Sequence, residues 1–371
     1  MPSNPLDYIT IKGFKSIASV EKLELRPINV VIGPNGSGKS NFIGVFEFLH
    51  AIREGRMRDY VTAAGGAEKV LHFGSKRTKE IYFHLSFSNQ VNQYELKLSP
   101  TNDDGLYPSS EVVYFWNKSR YAQPYDTGLL PKEQGREAGI SGPNGHVAAW
   151  VRDRLGRWRL YHVHDTSSSS SMRKTAKVDD NEFFRPDASN LAAFLYYLRE
   201  KHEESYDLIR RSVQRVAPFF DDFRLKPSRL KPDDIKLEWQ HKKSDQYFDA
   251  SSLSDGTLRF IALTTLFLQP TQYRPSVILV DEPELGLHPY AIEMLASLIR
   301  HASVDTQVIV STQSSLLLDH FKPEDVLVAN RVDGSTQLTR LDSTKLAKWL
   351  EDYSLGQLWE KNEFGGRPVP D

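Results

Sequence analysis

The apolar run Ile28-Asn29-Val30-Val31-Ile32 opens directly onto Gly33-Pro34-Asn35-Gly36-Ser37-Gly38-Lys39-Ser40. A short apolar run suits a strand covered on both faces. The eight residues after it match G-x-x-x-x-G-K-[ST], a loop whose backbone N–H groups converge on phosphate oxygens. Phe42, Val45, Phe46, Leu49 and Ile52 then recur on one face at helical spacing. Strand, glycine-rich loop and helix together predict a phosphate cradle, with the helix N-terminus adding a favourable dipole. Lys39 is expected to bridge the β- and γ-phosphates from a solvent-facing loop, and Ser40 to ligate Mg²⁺.

A second apolar strand, Val277 to Val280, ends in Asp281-Glu282-Pro283. Two carboxylates at a strand end can serve a metal and an attacking water. Asp281 is the expected Mg²⁺ ligand and Glu282 the expected general base. Further strands are expected at Ile9 to Ile11, Leu23 to Leu25, within Glu80 to Leu98, and at Gln307 to Val310. Ala291 to His301 reads as helix, Leu253 to Leu268 as a turn and an amphipathic helix, and Asn190 to Phe220 as helix broken near Pro218. The expected class is α/β, with a mainly parallel sheet. Thr101 to Pro186, rich in Gly, Pro, Ser and charge and carrying the run Ser167 to Ser171, reads as an inserted α+β segment with a mobile loop. This gives a nucleotide-binding lobe at 1–100, an inserted and helical subdomain at 101–250, and a lobe completing the core at 251–371. No heptad is sustained, so no long coiled coil is expected.

The 371 residues allow one large domain or two joined ones. The net charge of -1 excludes a uniformly basic nucleic-acid coat but leaves room for a local basic patch. With no cysteine, disulfides and Cys-ligated zinc are excluded. Met1 to Thr10 has no apolar core of a signal peptide, and no apolar run approaches the ~20 residues of a membrane helix. A cytoplasmic protein without membrane attachment is expected.

Leu253-Ser254-Asp255-Gly256-Thr257-Leu258-Arg259 resembles the signature motif of ABC-type ATPases. That resemblance implies ATP and Mg²⁺ as cofactors and a homodimer or higher oligomer, in which Ser254 and Gly256 of one protomer cap the γ-phosphate held by its partner. A helix cap at Ser254 or Asp255 is the plainer reading of the same residues. Ile11-Lys12-Gly13-Phe14-Lys15-Ser16-Ile17 and Asn41 resemble the SMC and RecF branch, which implies that Lys15 and Asn41 lie near nucleotide. Glu284-Leu285-Gly286-Leu287-His288-Pro289 resembles the D-loop of overcoming-lysogenization-defect (OLD) ATPases. Tyr353 to Trp359 and Gly365-Gly366-Arg367-Pro368 resemble the tail of a compact bacterial group of such proteins. Gln313, in Ser311-Thr312-Gln313-Ser314, stands where the family carries a switch histidine. It can hydrogen-bond phosphate or water but cannot carry a proton's charge. The Q-loop residue stays open among Gln90, Gln93 and Gln123. The resemblance implies an ATP-hydrolysing enzyme that controls DNA or an effector in phage defence or DNA repair. The alternative is a nucleotide-gated scaffold that hydrolyses poorly and restrains a toxin or nuclease. The opening motif and the long insert disfavour a transporter cassette. Only Ser314 to Asp371 follow the switch, against ~100 residues for a typical domain, so a TOPRIM-like nuclease or toxin is expected on another chain.

Three other signals have two readings each. His162 and His164 alternate on one face of an expected strand, as metal ligands or as plain surface. Arg152, Arg154, Arg157 and Arg159 with Trp158 could meet nucleic-acid phosphates and a base, or lie on a plain surface, while Arg210, Arg211, Arg215 and the trio Lys226, Arg229, Lys231 read as solvated faces. Leu346, Trp349, Leu350 and Tyr353 share one helical face, and Leu355, Leu358 and Trp359 extend it, either onto the chain's own core or onto a partner.

Overall fold

The computed structural model describes residues 5–130, 135, 137–143 and 145–365. Gly366, Arg367 and Pro368 of the tail motif lie outside the described residues. The chain divides into two units, residues 1–158 with 322–371, and residues 159–321.

In the first unit a six-stranded antiparallel sheet runs in the order Ile17–Glu24, Leu6–Phe14, Ile81–Phe87, Asn92–Pro100, Leu106–Phe115, Tyr125–Gly128. Alternation of buried and half-buried residues in Ile81–Phe87 turns Ile81, Phe83 and Leu85 inward. The P-loop helix, Lys39–Arg53, packs on this inner face. Phe48 meets Phe14 at 5.6 Å and Phe83 at 6.1 Å between ring centroids. Each buried phenylalanine contributes roughly 1.5–3 kcal/mol. The strand Ile28–Ile32, buried at every position, pairs in parallel with Val326–Val332, which pairs antiparallel with Ser335–Arg340. Leu106–Phe115 belongs to the main sheet although its sequence read as insert. Pro108 sits opposite Leu98 where the register shifts between Lys97 and Leu98, an irregularity that accommodates a residue without an N–H.

In the second unit Val277–Asp281 pairs in parallel with Gln307–Thr312. The helix Asp255–Leu268 is buried at every residue from Leu258 onward. It is therefore not the amphipathic helix expected, because Leu191–Lys201, Glu203–Val216 and Pro289–Ala302 all pack against it. The helical stretch after Asn190 ends at Val216, next to Pro218 as expected, and has a further break at His202. His202 leaves the helical region (φ -142), and its ring packs 5.3 Å from Tyr273. The serine run folds onto Asp165, whose carboxylate accepts from the Ser167 hydroxyl at 2.6 Å, while Ser170 is fully buried. The longest described helix, Lys39–Arg53, has 15 residues, and no described helix is long and apolar enough to cross a membrane.

Candidate active site

The P-loop is shaped by residues that leave no room for a side chain. A Cβ on Gly33 would lie 2.4 Å from the Ala329 carbonyl oxygen, and one on Gly38 would lie 1.9 Å from Thr336 Oγ1. Gly38 also takes φ 100, which disfavours any other residue. It precedes the helix without a side-chain cap, so the first amides keep their affinity for an anion. Ser37 Oγ is buried and has no hydrogen-bond partner. A glycine-walled cradle, uncapped amides and an orphan hydroxyl fit a polyphosphate. Pro34, Asn35 and Gly36 form the outer rim, and Ser40 is exposed.

Lys39 departs from expectation. It is 6% exposed, and its ammonium donates to the carbonyl oxygens of Gly33 at 2.7 Å and Pro34 at 3.0 Å. The loop carbonyls thus hold the charge that a solvent-facing lysine would leave in water. Sequence reasoning missed the bracing behind the loop. Asn41 donates to Ser16 Oγ at 2.7 Å, Ser16 and Thr336 share a 2.7 Å hydrogen bond, and Thr336 donates to the Ser37 carbonyl oxygen at 2.9 Å. Lys15 has φ 47 and directs its ammonium to the Tyr60 hydroxyl at 3.1 Å. Burial holds its pKa below the ordinary lysine value, against the pull of Glu47. Gln90 and Gln93 belong to the hairpin between Ile81–Phe87 and Asn92–Pro100, where Gln93 is bound to His84 at 2.9 Å; Gln123 is exposed.

In the second unit, Asp281 closes its strand opposite Ser311. Glu282 follows with φ 38, a left-handed backbone at a non-glycine residue. Its N–H donates to the Ser311 carbonyl oxygen at 2.8 Å, and its carboxylate accepts from the Gln313 side-chain amide. Glu284 is buried. One carboxylate oxygen accepts from the Thr312 hydroxyl and the Gln313 N–H, while the other has no partner. Burial raises its pKa above the ordinary glutamate range, with Glu282 adding to the rise.

Ser254 caps the helix Asp255–Leu268 by accepting from the Thr257 N–H at 3.2 Å. A Cβ on Gly256 would lie 2.4 Å from the Gly286 carbonyl oxygen, so the signature turn and the D-loop touch backbone to backbone. Two arginines that sequence reasoning left aside fix this region. Arg173 reaches Asp255 at 2.8 Å and the Leu253 carbonyl oxygen at 3.3 Å. Arg259, buried on the signature helix, donates to the carbonyl oxygens of Val163 at 3.0 Å and His164 at 2.8 Å. His164 lies in the field of Asp281 and Glu282. Burial lowers its pKa, and Asp281 opposes that most strongly. The strand here is only Trp158–Tyr161, so His162 and His164 follow it and do not alternate on it. Among the described residues no group of three or more His, Asp or Glu side chains forms a metal site.

The exposed ring beside the arginine cluster is Phe183, not Trp158. Trp158 is 3% exposed and packs on Phe46 at 5.2 Å. Arg152 donates to the Gly142 carbonyl oxygen and Arg159 stacks over Phe183. At the C-terminus Leu358 is fully buried within the chain, so it is core and not half of a docking face; Trp349 is exposed.

A family model described as "AAA domain, putative AbiEii toxin, Type IV TA system" matches residues 28–319. The chain is 25% identical over 343 residues to the Old nuclease of Escherichia phage P2, covering 84% of this chain and 56% of that protein. It is 38% identical over 104 residues to the chromosome partition protein Smc of Desulfitobacterium hafniense (strain Y51), covering 28% of this chain and 8% of that protein. The chain thus spans about half the length of the first of these relatives and a small part of the second. In fold it is similar to an Smc head bound to the C-terminal winged-helix domain of ScpA (TM-score 0.60, 16% identity, 93% of this chain and 99% of that one). A Smc head from Pyrococcus furiosus with an extended coiled coil, bound to the C-terminal domain of ScpA, gives a TM-score of 0.57 at 14% identity, over 94% and 99% of the two chains. The chain belongs to the AAA-domain family described as "putative AbiEii toxin, Type IV TA system", and is a P-loop ATPase of the SMC and OLD type.

Proposed function

We propose that the chain hydrolyses ATP with Mg²⁺ and dimerises around the nucleotide, controlling a DNA-directed or effector partner in phage defence or DNA repair. The observation that carries the reading is the Glu282 carboxylate, held by Gln313 at the end of a buried parallel strand in a chain that also carries the P-loop cradle. In this reading Glu282 accepts the proton of the attacking water. Gly33 to Ser40 cradle the phosphates, Lys39 exchanges its loop carbonyls for phosphate oxygens, and Asn41 and Lys15 support the loop. Ser254 and the N–H of Gly256 face the nucleotide of a second protomer. Ser40 and Asp281 would hold Mg²⁺, which neutralises phosphate charge when bound. The likeness to the Old nuclease and to Smc supports a DNA-directed role, and the family's description, "putative AbiEii toxin, Type IV TA system", supports a link to a toxin; a TOPRIM-like nuclease or toxin on another chain is the effector in this reading.

One observation favours slow turnover. The Gln313 amide holds Glu282 but cannot exchange a proton as a histidine would, which suits a nucleotide-gated scaffold. Phosphate release tests the reading. Mg²⁺-dependent release that falls at least about 100-fold in Glu282→Gln supports the enzyme. ATP binding without release in the unaltered protein leaves the scaffold. Release unaffected by Glu282→Gln contradicts both.

A further inference from the structure

The second unit carries a basic groove that takes no part in the proposed nucleotide chemistry. It has a volume of about 620 Å³ and is lined by Arg224, Lys226, Arg229, Lys231 and Lys236. Two carboxylates also line it, and both are already engaged. Asp234 pairs with Lys177 at 2.6 Å, and Glu238 with Arg224 at 3.6 Å. Among the described residues Lys226, Arg229, Lys231 and Lys236 form no ion pair within 4.0 Å. Asp234 and Asp249 act on Lys231 and Lys236 only from beyond ion-pair distance, so four cations outnumber the carboxylates at this groove, and a polyanion relieves their mutual repulsion.

The groove has a built wall. Its loop runs from Leu225 to Ile235, both buried, with Pro227 and Pro232 restricting the backbone between them. The Ser228 N–H donates to the Asp234 carbonyl oxygen at 2.8 Å and the Asp234 N–H to the Lys231 carbonyl oxygen at 2.9 Å, closing the loop on itself. The cations are thus presented on a fixed frame. Beside them Arg224 stacks 3.8 Å from the centroid of Tyr247, whose residue is 47% exposed. Through Arg224, which lines the groove, an exposed aromatic ring adjoins the cationic lining, and the two together offer charge for a nucleotide's phosphate and a face for its base. An acidic peptide or a lipid headgroup would use the charge alone. Leu230, 95% exposed, is a single apolar side chain and offers about 1.5–3 kcal/mol to a membrane, too little for stable attachment.

We infer that this groove binds the phosphate backbone of single-stranded nucleic acid, with Lys226, Arg229, Lys231 and Lys236 on the phosphates and Tyr247 against a base. The inference deepens the proposed DNA-directed role and rests on it. The groove is a site separate from the P-loop residues, so each can fail alone.

The test uses the full chain and a fluorescein-labelled single strand of about 16 nucleotides, followed by anisotropy across a salt series. The unaltered chain binds, and a triple Lys226→Ala, Arg229→Ala, Lys231→Ala variant binds about tenfold or more weakly. Its log–log salt slope is shallower by about 2, as expected for three lost phosphate contacts on a single strand. Tyr247→Ala weakens binding without changing that slope. Calorimetry with ATP gives the same affinity in all variants, which separates this site from the nucleotide site. Unchanged oligonucleotide affinity and slope in the triple variant overturn the inference. So does absence of oligonucleotide binding at low salt by a chain that still binds ATP, or preferential binding of polyglutamate or of phosphatidylserine vesicles.

Discussion

Gln313 donates its side-chain amide to the carboxylate of Glu282, while its own backbone N–H reaches Glu284 at 3.4 Å. One residue at the end of Gln307–Thr312 thus touches both acids beyond Val277–Asp281. Glu282 needs this restraint, because its φ of 38 already holds its backbone in a sparsely populated region. Gln313→Ala is predicted to lower kcat for ATP about tenfold with little change in KM, since the amide orients the base and does not bind ground-state phosphate in this account. Steady-state phosphate release measures it. An unchanged kcat would show that the contact has no part in turnover.

Lys39→Ala is predicted to abolish ATP binding in calorimetry. It should also cost stability, about 1–3 kcal/mol in urea denaturation, because the loop carbonyls of Gly33 and Pro34 lose their donor. Full stability in the variant would contradict the buried placement of the ammonium.

Thr336→Val keeps the shape of the side chain and deletes the hydroxyl that donates to the Ser37 carbonyl oxygen and shares a hydrogen bond with Ser16. The predicted loss is about 1 kcal/mol of ATP affinity, roughly fivefold, with the fold intact. Equal ATP affinity in variant and parent would rule out bracing of the P-loop from this strand.

Glu284 carries a pH dependence of defined sign. Its folded pKa is raised, chiefly by burial, so the protonated form is favoured in the fold. The stabilisation is fully present below the ordinary glutamate value and is lost as pH rises through the raised one. Glu284→Gln mimics the protonated acid. Its melting temperature should exceed that of the parent at about pH 8, with the difference shrinking toward about pH 4. A difference that grows on acidification would reverse the assignment.

The phosphate loop, the acid pair and the signature were legible because each is a contiguous run whose residue types answer one chemical demand. The strand before Gly33 and the helix after Lys39 lie where the apolar pattern placed them. The supports were not legible. Ser16 and Thr336 are 320 positions apart, and neither belongs to a periodic pattern. Arg173 lies in a segment of weak periodicity, and only the fold brings it to Asp255. The arginines around Trp158 left open whether it meets a base; its large apolar surface packs inside the chain. The strand Leu106–Phe115 was hidden by Pro108, which a register shift tolerates. Loop 226–231 looked like a solvated charge run, and only the fold showed its cations around one groove.

In the proposed cycle ATP joins two copies through the P-loop and the signature turn, and Glu282 ends that state by activating water. Light scattering on Glu282→Gln with ATP and Mg²⁺ tests it most directly. The account predicts a stable dimer that persists with ATP and returns to monomer when nucleotide is removed, whereas the unaltered chain with ATP shows a dimer only transiently. A variant that stays monomeric at saturating ATP, or an oligomer of the same mass with and without nucleotide, would contradict it.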